Sequence, residues 1–331
     1  MKKINLKQLS KLIPLFGIIL FIYILFDIGI EKIANSFIQI KIQYLIIAFI
    51  LLIPRFSLYA YSWQYLCKKQ KMNPGYFFLF KAYLVGLFYG NVVPGGFGGH
   101  IRIFYLRNKT KASIEKCLTN SIIDYSLVSG LFLSLIGSIF LFERAPELFP
   151  ILLFFFCLNT IAFIVLLRKR SGSKLFNFVI KRFIPQKFKD KFGQSVDALY
   201  EDIPRLRDLI VPSIINILIR IITATGIFII AQSFSINVPY IDFIFINVIA
   251  TVVIGVLPIS VGGLGIREGI YVYMLGTYGV PPDVAFTISL SGYAVKMLAP
   301  SIIGLLLSFK KEFRLDKVFI RAKDEDPDEF L

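Results

Sequence analysis

Few residues in this chain are suited to metal or redox chemistry: its 331 residues include three cysteines and one histidine. Cys67, Cys117 and Cys157 are odd in number and widely spaced, so they predict neither a disulfide framework nor a zinc site. A single histidine without a cysteine pair also argues against a transition-metal centre. We therefore expect no metal ion and no cofactor.

Acidic residues and catalytic motifs are scarce as well. The chain has 21 acidic residues against 37 lysines and arginines, which gives a formal net charge of +16. It contains no hydrolase elbow, no phosphate-binding P-loop and no paired-carboxylate spacing, so no motif supports an enzyme active site. Most basic residues lie between apolar runs, and no aromatic–basic recognition module accompanies them, which argues against nucleic acid as a partner.

Apolar residues are abundant instead, and they make up 56% of the chain. A soluble domain could bury only part of this apolar mass. Runs such as 12–26 and 44–54 approach or join windows of about 20 residues, the length that spans the hydrocarbon core of a bilayer. The predicted fold class is therefore an all-α polytopic membrane protein, and the cell membrane is its expected location.

The distribution of lysine and arginine predicts the threading of the chain, because cytoplasmic loops are enriched in both residues. The basic N-terminus, interpreted as the start of an uncleaved first helix, and the basic stretch 310–317 place both termini in the cytoplasm. We predict about six full spans and two broken or re-entrant helical hairpins, at 75–106 and 240–279, and two full crossings stay open as the alternative at 75–106. The spans are expected at about 12–30, 43–66, 118–142, 149–167, 209–232 and 284–308.

This threading describes one transmembrane domain, residues 1–320, followed by an acidic cytoplasmic tail at 321–331. Its half-repeats are expected at about 40–168 and 205–310, on either side of a basic cytoplasmic segment at 168–208. Phenylalanine, isoleucine and lysine interleave in that basic segment. This pattern suits a helix lying on the membrane surface, and an ordinary solvated loop fits it equally well.

Two glycine-rich stretches interrupt the apolar chain, "VVPGGFGGHIR" (92–102) and "VLPISVGGLGIREG" (256–269). In each, a proline stands four residues before a Gly-Gly pair and an arginine follows the pair; the prolines are 164 positions apart. Matched breaks half a chain apart predict an inverted-topology repeat, as in many secondary transporters. Helix N-termini and glycine backbone at such breaks can bind an anion, although similar breaks also serve as plain turns.

Five ionisable residues fall within apolar windows, where each costs about 2.5–3.5 kcal/mol on insertion scales and normally faces a cavity or a partner. They are Arg55, Lys81, Asp124, Arg220 and Lys296. Four cations to one acid favour an anionic ligand, with Asp124 as the partner of one cation or as a proton or cation site. Two alternatives stay open: Lys81 can snorkel to the interface, and Arg55 can meet water at a kink beside Pro54.

At the two breaks the chain resembles the transmembrane domain of lysyl-phosphatidylglycerol synthases, a family also described as flippase-like inner-membrane proteins. The resemblance covers about 10–310 and is carried by "GNVVPGGFGGHIR" and "VLPISVGGLGIREGIYVYMLGTYGVPPDVA". It implies the function credited to this domain in the multiple peptide resistance factors, which is the flipping of aminoacylated phosphatidylglycerol. A separate soluble domain makes that lipid in the relatives, and this chain is not expected to carry it.

The resemblance and the intramembrane charges together define the candidate site. His100 stands where the family commonly has Asp, so a different substrate or pH response is open here, and Glu268 can simply be the ion-pair partner of Arg267. Some archaeal relatives are linked to polyprenyl-phosphate pathways, so the resemblance allows an isoprenoid lipid as well. The candidate substrate-binding residues are Asn91, Pro94, Gly95, Gly96, Gly98, Gly99, His100, Arg102, Asp124, Arg220, Pro258, Gly262, Gly263, Gly265, Arg267, Glu268 and Lys296.

We therefore predict a lipid translocase that binds an anionic phospholipid or polyprenyl-phosphate headgroup near the bilayer midplane. Arg102, Arg267 and Lys296 are the expected headgroup contacts, and the glycine loops are expected to supply backbone donors. Two alternatives remain: a membrane glycosyltransferase or lipid-modifying enzyme of a polyprenyl-phosphate pathway, and a non-catalytic lipid-binding partner of such an enzyme. A homo-oligomer or a lipid-modifying enzyme is left open as a protein partner.

Overall fold

The computed structural model describes residues 18–92, 94–129, 142, 146, 149–168, 200–256, 260 and 262–314. Every regular element within these ranges is helical, which confirms the all-α class. The α-helices, numbered in chain order, are α1 (Ile18–Ile28), α2 (Ile30–Ile38), α3 (Ile42–Ile50), α4 (Leu52–Lys69), α5 (Tyr76–Val92), α6 (Arg102–Thr110), α7 (Ile114–Ser129), α8 (Phe149–Leu167), α9 (Ile210–Ala231), α10 (Tyr240–Val256), α11 (Ile266–Gly276), α12 (Pro282–Tyr293) and α13 (Ala299–Ser308). Segments of 3-10 helix cover Pro94–Ile101, Leu206–Leu209 and Gln232–Phe234, and a π-helical segment covers Ala294–Leu298.

Three helical stretches in the described ranges are long and apolar enough to cross a membrane, namely Ile42–Lys69, Leu206–Phe234 and Pro282–Ser308. They agree with three of the predicted spans. Each has 27 to 29 residues, which at a rise of 1.5 Å per residue cover roughly 40 Å, more than the hydrocarbon core of a bilayer. Helices α1, α5, α8 and α10 are apolar and shorter.

Several predicted features fall on residues outside the described ranges. These are the start of the first span, much of the span at 118–142, most of the basic segment at 168–208, the acidic tail and Pro258.

The structure corrects the sequence prediction after the first helix. Gly29 interrupts the chain between α1 and α2 with φ 98°, a left-handed conformation that side chains rarely adopt. The charge threading implies a connecting loop between the predicted spans at 12–30 and 43–66, but residues 31–38 form most of α2, so that expectation is wrong. The apolar residues of α2 recur at helical spacing, with Ile33 buried and Glu31 exposed, and this amphipathic pattern explains the helix.

The chain divides into two compact units. The first unit comprises residues 1–58, 83–100 and 217–309. Within it α11 packs against both α10 and α12, while α2 packs against α12 and α3 against the π-helical segment. The rings of Phe243 and Tyr271 are fully buried, with their centroids 6.3 Å apart, and they form part of the core of this unit.

The second unit comprises residues 59–82, 101–216 and 310–331. Helix α6 packs against α7 in this unit. The ring of Phe313 lies 5.6 Å from that of Phe78 and 5.3 Å from that of Tyr105, whose hydroxyl donates a hydrogen bond to the Phe313 carbonyl. These contacts fix the described C-terminal end of the chain in the core of the second unit.

Candidate functional site

The long final helix contains a local irregularity around Lys296. Between α12 and α13 the backbone is π-helical, and the N–H of Ala299 donates to the carbonyl of Ala294, five residues earlier. Pro300 follows directly and has no N–H, so the carbonyl of Lys296, four residues before it, loses its α-helical partner. Single π-turns inside α-helices are rare and are frequent at functional sites.

Two side chains from elsewhere in the first unit reach this irregular turn. Arg55, near the start of α4, donates from Nη1 to the carbonyl oxygen of Lys296 over 2.6 Å. Asn91, near the end of α5, donates to Ser301 Oγ over 2.5 Å and lies 3.5 Å from the carbonyl oxygen of Met297. A carbonyl inside a bilayer finds no water, so donors of this kind are what make a proline there tolerable.

Lys296 is a half-buried cation with a surplus of positive charge around it. Arg55 donates to the Lys296 carbonyl and lines the same cavity, and Arg267, Arg220 and the carboxylate of Glu268 are among the charged groups that interact with the Lys296 side chain. Among the described residues, no carboxylate lies within ion-pair distance of the Lys296 ammonium. Like charges in a low-dielectric region repel strongly, so an anion among them would be stabilised.

A small cavity of about 20 Å³ opens beside this cluster. Its polar lining comes from Arg55, Thr223 and Lys296, and the rest is apolar or glycine, contributed by α3, α4, α9 and the end of α12. A cavity of this size holds roughly one water molecule. A lipid headgroup therefore requires the helices around it to separate.

The structure decides against the alternative in which Arg55 meets water at a kink beside Pro54. Arg55 is 6% exposed, and its guanidinium is engaged by the Lys296 carbonyl. One residue, Leu51, interrupts the helix here, since α3 ends at Ile50 and α4 begins at Leu52, next to Pro54. Arg55 was singled out among the intramembrane charges, but its contact to a residue 241 positions away has no signal in the sequence.

The second glycine break forms a tight turn in the first unit. Gly262, Gly263 and Gly265 have φ of 59°, 78° and 81°, and α11 begins directly after them. A Cβ on Gly262 would lie 2.6 Å from the hydroxyl oxygen of Tyr293, so this position has no room for a side chain. Glycine is required here both by the left-handed backbone and by the close approach of the Tyr293 ring.

Arg267 and Glu268, just after this turn, neutralise each other. Arg267 donates from Nε and Nη2 to Glu268 Oε1 over 2.9 Å and 2.6 Å, and from Nη1 to the Gly262 carbonyl over 3.1 Å. The other oxygen of Glu268 accepts from the backbone N–H of Gly265 over 2.7 Å. The N-terminus of α11 is thus occupied by a carboxylate of the chain itself, in the position where an external anion was expected.

The first glycine break is helical rather than a turn. Pro94–Ile101 forms a 3-10 helix that leads into α6, and Gly98, Gly99 and His100 in it are half-buried. A Cβ on Gly99 would lie 3.6 Å from the Gly86 carbonyl oxygen, which is ordinary contact distance.

Arg102, which follows the first break, lies in the second unit and pairs with Asp124 of α7 over 2.7 Å. Both side chains are buried, at 8% and 2% exposure, and the guanidinium also lies over the Trp63 ring at 5.0 Å. From the sequence, Asp124 is expected as the partner of Arg55, Lys81, Arg220 or Lys296, or as a proton or cation site, whereas its partner in the structure is Arg102. The charge of Arg102 is balanced inside the protein.

A buried hydrogen-bond network around Asn120 adjoins this pair, and sequence reasoning missed it. Trp63 Nε1 donates to Asn120 Oδ1 over 2.8 Å, and Asn120 Nδ2 donates to Gln70 Oε1 over 2.7 Å. Polar residues with satisfied partners hold the ends of α4 and α7 together in the second unit. A lone tryptophan in an apolar run was the available signal, because a buried indole N–H needs an acceptor.

The predicted site residues therefore separate into two groups. Asn91, Arg220, Arg267, Glu268 and Lys296 belong to the first unit, together with both Gly-Gly pairs. Arg102 and Asp124 belong to the second unit. The structure adds Arg55, Thr223 and Ser301 to the first group as residues that contact the irregular turn or its cavity.

Comparison with known proteins places the chain in a family. Residues 12–304 match the family model of the lysylphosphatidylglycerol synthase TM region. A UPF0104 membrane protein of Methanocaldococcus jannaschii is 22% identical over 334 residues, covering 96% of this chain and 99% of the relative. Another UPF0104 membrane protein, from Methanothermobacter thermautotrophicus, is 23% identical over 301 residues, covering 85% and 89%. The chain belongs to the lysylphosphatidylglycerol synthase TM region family and is a membrane protein.

Proposed function

We propose that this protein binds the anionic headgroup of a membrane lipid and carries it across the bilayer. The observation that supports this most strongly is Lys296. It is a lysine in a membrane-spanning helix, at a π-turn and beside a cavity that Arg55 also lines, and among the described residues no carboxylate lies within ion-pair distance of its ammonium. Ionisable residues at such depth normally mark the path of a substrate or ion.

The headgroup contacts in this proposal are Lys296 and Arg220. Arg267 is a weaker candidate because Glu268 neutralises it, and Arg102 is weaker because Asp124 does the same. Arginine binds phosphate through two parallel N–H groups and lysine as a point charge. The cavity of about 20 Å³ corresponds to a closed state, from which the surrounding helices separate to admit a headgroup.

The threading in this proposal keeps the two breaks as re-entrant hairpins that open from opposite faces of the cell membrane. The half-repeats at about 40–168 and 205–310 form an inverted repeat, and both termini lie in the cytoplasm. The apolar helices next to the breaks, α5 and α10, are each 17 residues long, which is at the lower limit for a full crossing. Since the sequence has no ATP-binding motif, transport follows a gradient or a downhill exchange.

The enzymatic alternative has less support. A transferase or hydrolase would need a carboxylate poised as a base or nucleophile. Asp124 and Glu268, the deeply buried carboxylates near the breaks, are both held by arginine. We therefore favour lipid transport over an enzymatic reaction as the function.

Reconstitution into vesicles tests the proposal. Phosphatidylglycerol in one preparation and polyprenyl phosphate in another are exposed to a membrane-impermeant reagent that modifies the headgroup. Translocation makes the whole lipid pool accessible, whereas protein-free vesicles expose the outer leaflet alone. Unchanged accessibility for both lipids would refute the proposal, and consumption of an added sugar donor would favour the enzymatic alternative.

A matched pair of lysine variants links transport to the cluster. Lys296→Met removes the central cation and is expected to slow translocation by about tenfold or more, the loss expected for one charge-assisted hydrogen bond to the headgroup. Lys81→Met is the control, because Lys81 is also half-buried in an apolar helix and is not among the groups that act on Lys296. Equal rates for the two variants would contradict the role of Lys296.

A further inference from the structure

We propose that Arg55 is a positioning residue: its guanidinium replaces the N–H that Pro300 lacks and thereby holds Lys296 toward the cavity. The inference rests on the proposed function for its purpose, but its geometry stands separately. Arg55 Nη1 lies 2.6 Å from the Lys296 carbonyl oxygen, and both residues line the same cavity.

The hydrogen bond from Arg55 to the Lys296 carbonyl, which we call the tether, follows from the chemistry of proline in a membrane helix. Pro300 removes one donor from the ladder, and the carbonyl that loses its partner belongs to the residue that carries the cation. An unsatisfied carbonyl away from water is costly, so the turn needs a donor from another helix. A guanidinium supplies it with a charge-assisted bond, which is stronger than the amide bond that was lost.

The same turn is held from a second side. Asn91 bonds to Ser301 Oγ and approaches the Met297 carbonyl, so α5 contacts the turn just beyond the contact from α4. A π-turn contains one residue more than an α-turn. Its relaxation to α-helix would therefore rotate Lys296 by roughly 100° relative to one half of the helix. Arg55 and Asn91 together select the register in which Lys296 lines the cavity.

A compensating substitution separates this role from a purely electrostatic one. Pro300→Ala restores a backbone N–H four residues after Lys296, which can bond to its carbonyl without help. If Arg55 acts through that carbonyl, Pro300→Ala should rescue Arg55→Met even though the positive charge is still missing. If Arg55 acts only by attracting the headgroup, a new N–H in the helix gives no rescue.

The experiment measures two quantities for the full chain in lipid nanodiscs and vesicles. Hydrogen–deuterium exchange of a peptide covering 294–303 reports the turn itself, and translocation of labelled phosphatidylglycerol and polyprenyl phosphate reports function. Arg55→Met is expected to raise the exchange rate about five- to tenfold, the effect of one lost hydrogen bond, and to slow translocation by a similar factor. The double variant Arg55→Met/Pro300→Ala is expected to return both quantities to within about twofold of Pro300→Ala alone.

Arg220→Met is the matched control, since Arg220 also acts on Lys296 but is not the donor to its carbonyl. Pro300→Ala should not restore translocation in that background. Arg55→Lys, which keeps a charge and a donor, serves as the milder variant if Arg55→Met folds poorly, and should show a smaller rise in exchange that Pro300→Ala again removes.

The outcomes discriminate between this inference and the proposed function. Unchanged exchange in Arg55→Met and Arg55→Lys, or a rise that Pro300→Ala leaves in place, overturns the positioning role. Rescued exchange without translocation of either lipid by any variant supports the tether and refutes the transport function. Slow translocation with unaltered exchange in the Arg55 variants leaves the transport function standing and assigns Arg55 to direct headgroup contact.

Discussion

The two glycine breaks are alike in sequence and different in structure. Around Gly98 and Gly99 the backbone is a 3-10 helix, and the arginine after it pairs with a carboxylate on another helix, Asp124. Around Gly262 and Gly263 the backbone is a left-handed turn, and the arginine after it pairs with its own neighbour. A carboxylate neutralises each arginine, but the Arg102–Asp124 pair joins two helices, whereas the Arg267–Glu268 pair lies at the N-terminus of one helix.

This difference shows that the glycine–arginine pattern alone does not define an anion site. A cation is available to an external anion when the chain supplies no carboxylate to neutralise it. Both break arginines have one, whereas Lys296 has none within ion-pair distance among the described residues and lies outside either motif. The best candidate for an anion contact is therefore the cation that the motifs did not include.

Removal of the two carboxylates should give the largest stability losses and should show how the two breaks differ. Glu268→Ala and Asp124→Ala each remove the carboxylate that neutralises a buried arginine, which costs about 3–5 kcal/mol of unfolding free energy. Glu268→Ala should be the more damaging, because Glu268 also accepts from the Gly265 N–H and from Ser289 Oγ. Chemical unfolding in detergent micelles measures both.

An exposed carboxylate supplies the control for these variants. Glu31→Ala, on the surface of α2, should change the unfolding free energy by less than about 0.5 kcal/mol. Equal losses in Glu268→Ala and Asp124→Ala would mean that the cap at the second break contributes nothing beyond the ion pair.

Alanine at the glycines tests the backbone difference. Gly262→Ala forces a side chain into φ 59° and 2.6 Å from the Tyr293 hydroxyl, so we expect a loss of about 1–3 kcal/mol. Gly99→Ala meets only a contact at 3.6 Å, so it should be neutral within about 1 kcal/mol. Thermal unfolding of the two variants provides the measurement.

The Tyr293 hydroxyl allows the two sources of strain at Gly262 to be separated. Tyr293→Phe removes the oxygen that a new Cβ would meet, while the backbone conformation stays unfavourable. Gly262→Ala in the Tyr293→Phe background should therefore recover part of the loss. Full recovery would show that the left-handed backbone is not strained by a side chain.

Much of the helical framework could be predicted from the sequence, because membrane spans depend on local apolar length. The predicted spans at 209–232 and 284–308 agree with the observed α-helical stretches to within two residues at each end. Segments of 3-10 helix extend the first of these stretches to Leu206–Phe234. The pairing of Arg267 with Glu268 was also accessible, since adjacent opposite charges have few other partners. The charge threading and the inverted repeat stay predictions.

The parts that could not be predicted depend on contacts between distant residues. Nothing local in "VKMLAPS" indicates a π-turn, which exists because Arg55 and Asn91 supply donors from other helices. The Asn120 network likewise joins residues about 50 positions apart. Proline in an apolar helix predicts that a donor is needed, and only the fold reveals which residue provides it.

Substitution of Lys296 should change the free energy of unfolding in the opposite direction from substitution of the paired arginines. Because Arg55 lines the same cavity and, among the described residues, no carboxylate lies within ion-pair distance of the Lys296 ammonium, Lys296→Met is expected to increase the unfolding free energy by about 1 kcal/mol or more. Arg267→Met, by contrast, leaves the buried Glu268 carboxylate without the cation that neutralises it and should destabilise. Chemical unfolding of both variants gives the comparison, and destabilisation by Lys296→Met would mean that its ammonium has an anionic partner in the folded protein.

The smallest effect is expected where carboxylate and cation meet outside the membrane-spanning helices. Asp202 accepts a hydrogen bond from Lys116 over 2.7 Å and forms an ion pair with Lys71 over 2.6 Å. The bond from Lys116 contributes most, and together the two hold the pKa of Asp202 below its usual value. Lys71 is largely exposed, so solvent and salt weaken the interaction relative to the buried pairs.

A lowered pKa gives this contribution a definite pH range. The carboxylate of Asp202 stabilises the fold above the unfolded pKa of about 3.9, and the stabilisation disappears as the pH falls through the lower folded value. Asp202→Asn should therefore be less stable than the wild type at pH 7, and the two melting temperatures should converge below about pH 4. Glu201, the neighbouring acid 3.8 Å from Lys116, is present in both proteins, so the comparison isolates Asp202. The difference should shrink as the pH falls from 7 toward the lowered folded pKa of Asp202, and a difference independent of pH over this range would mean that Asp202 does not act through its charge.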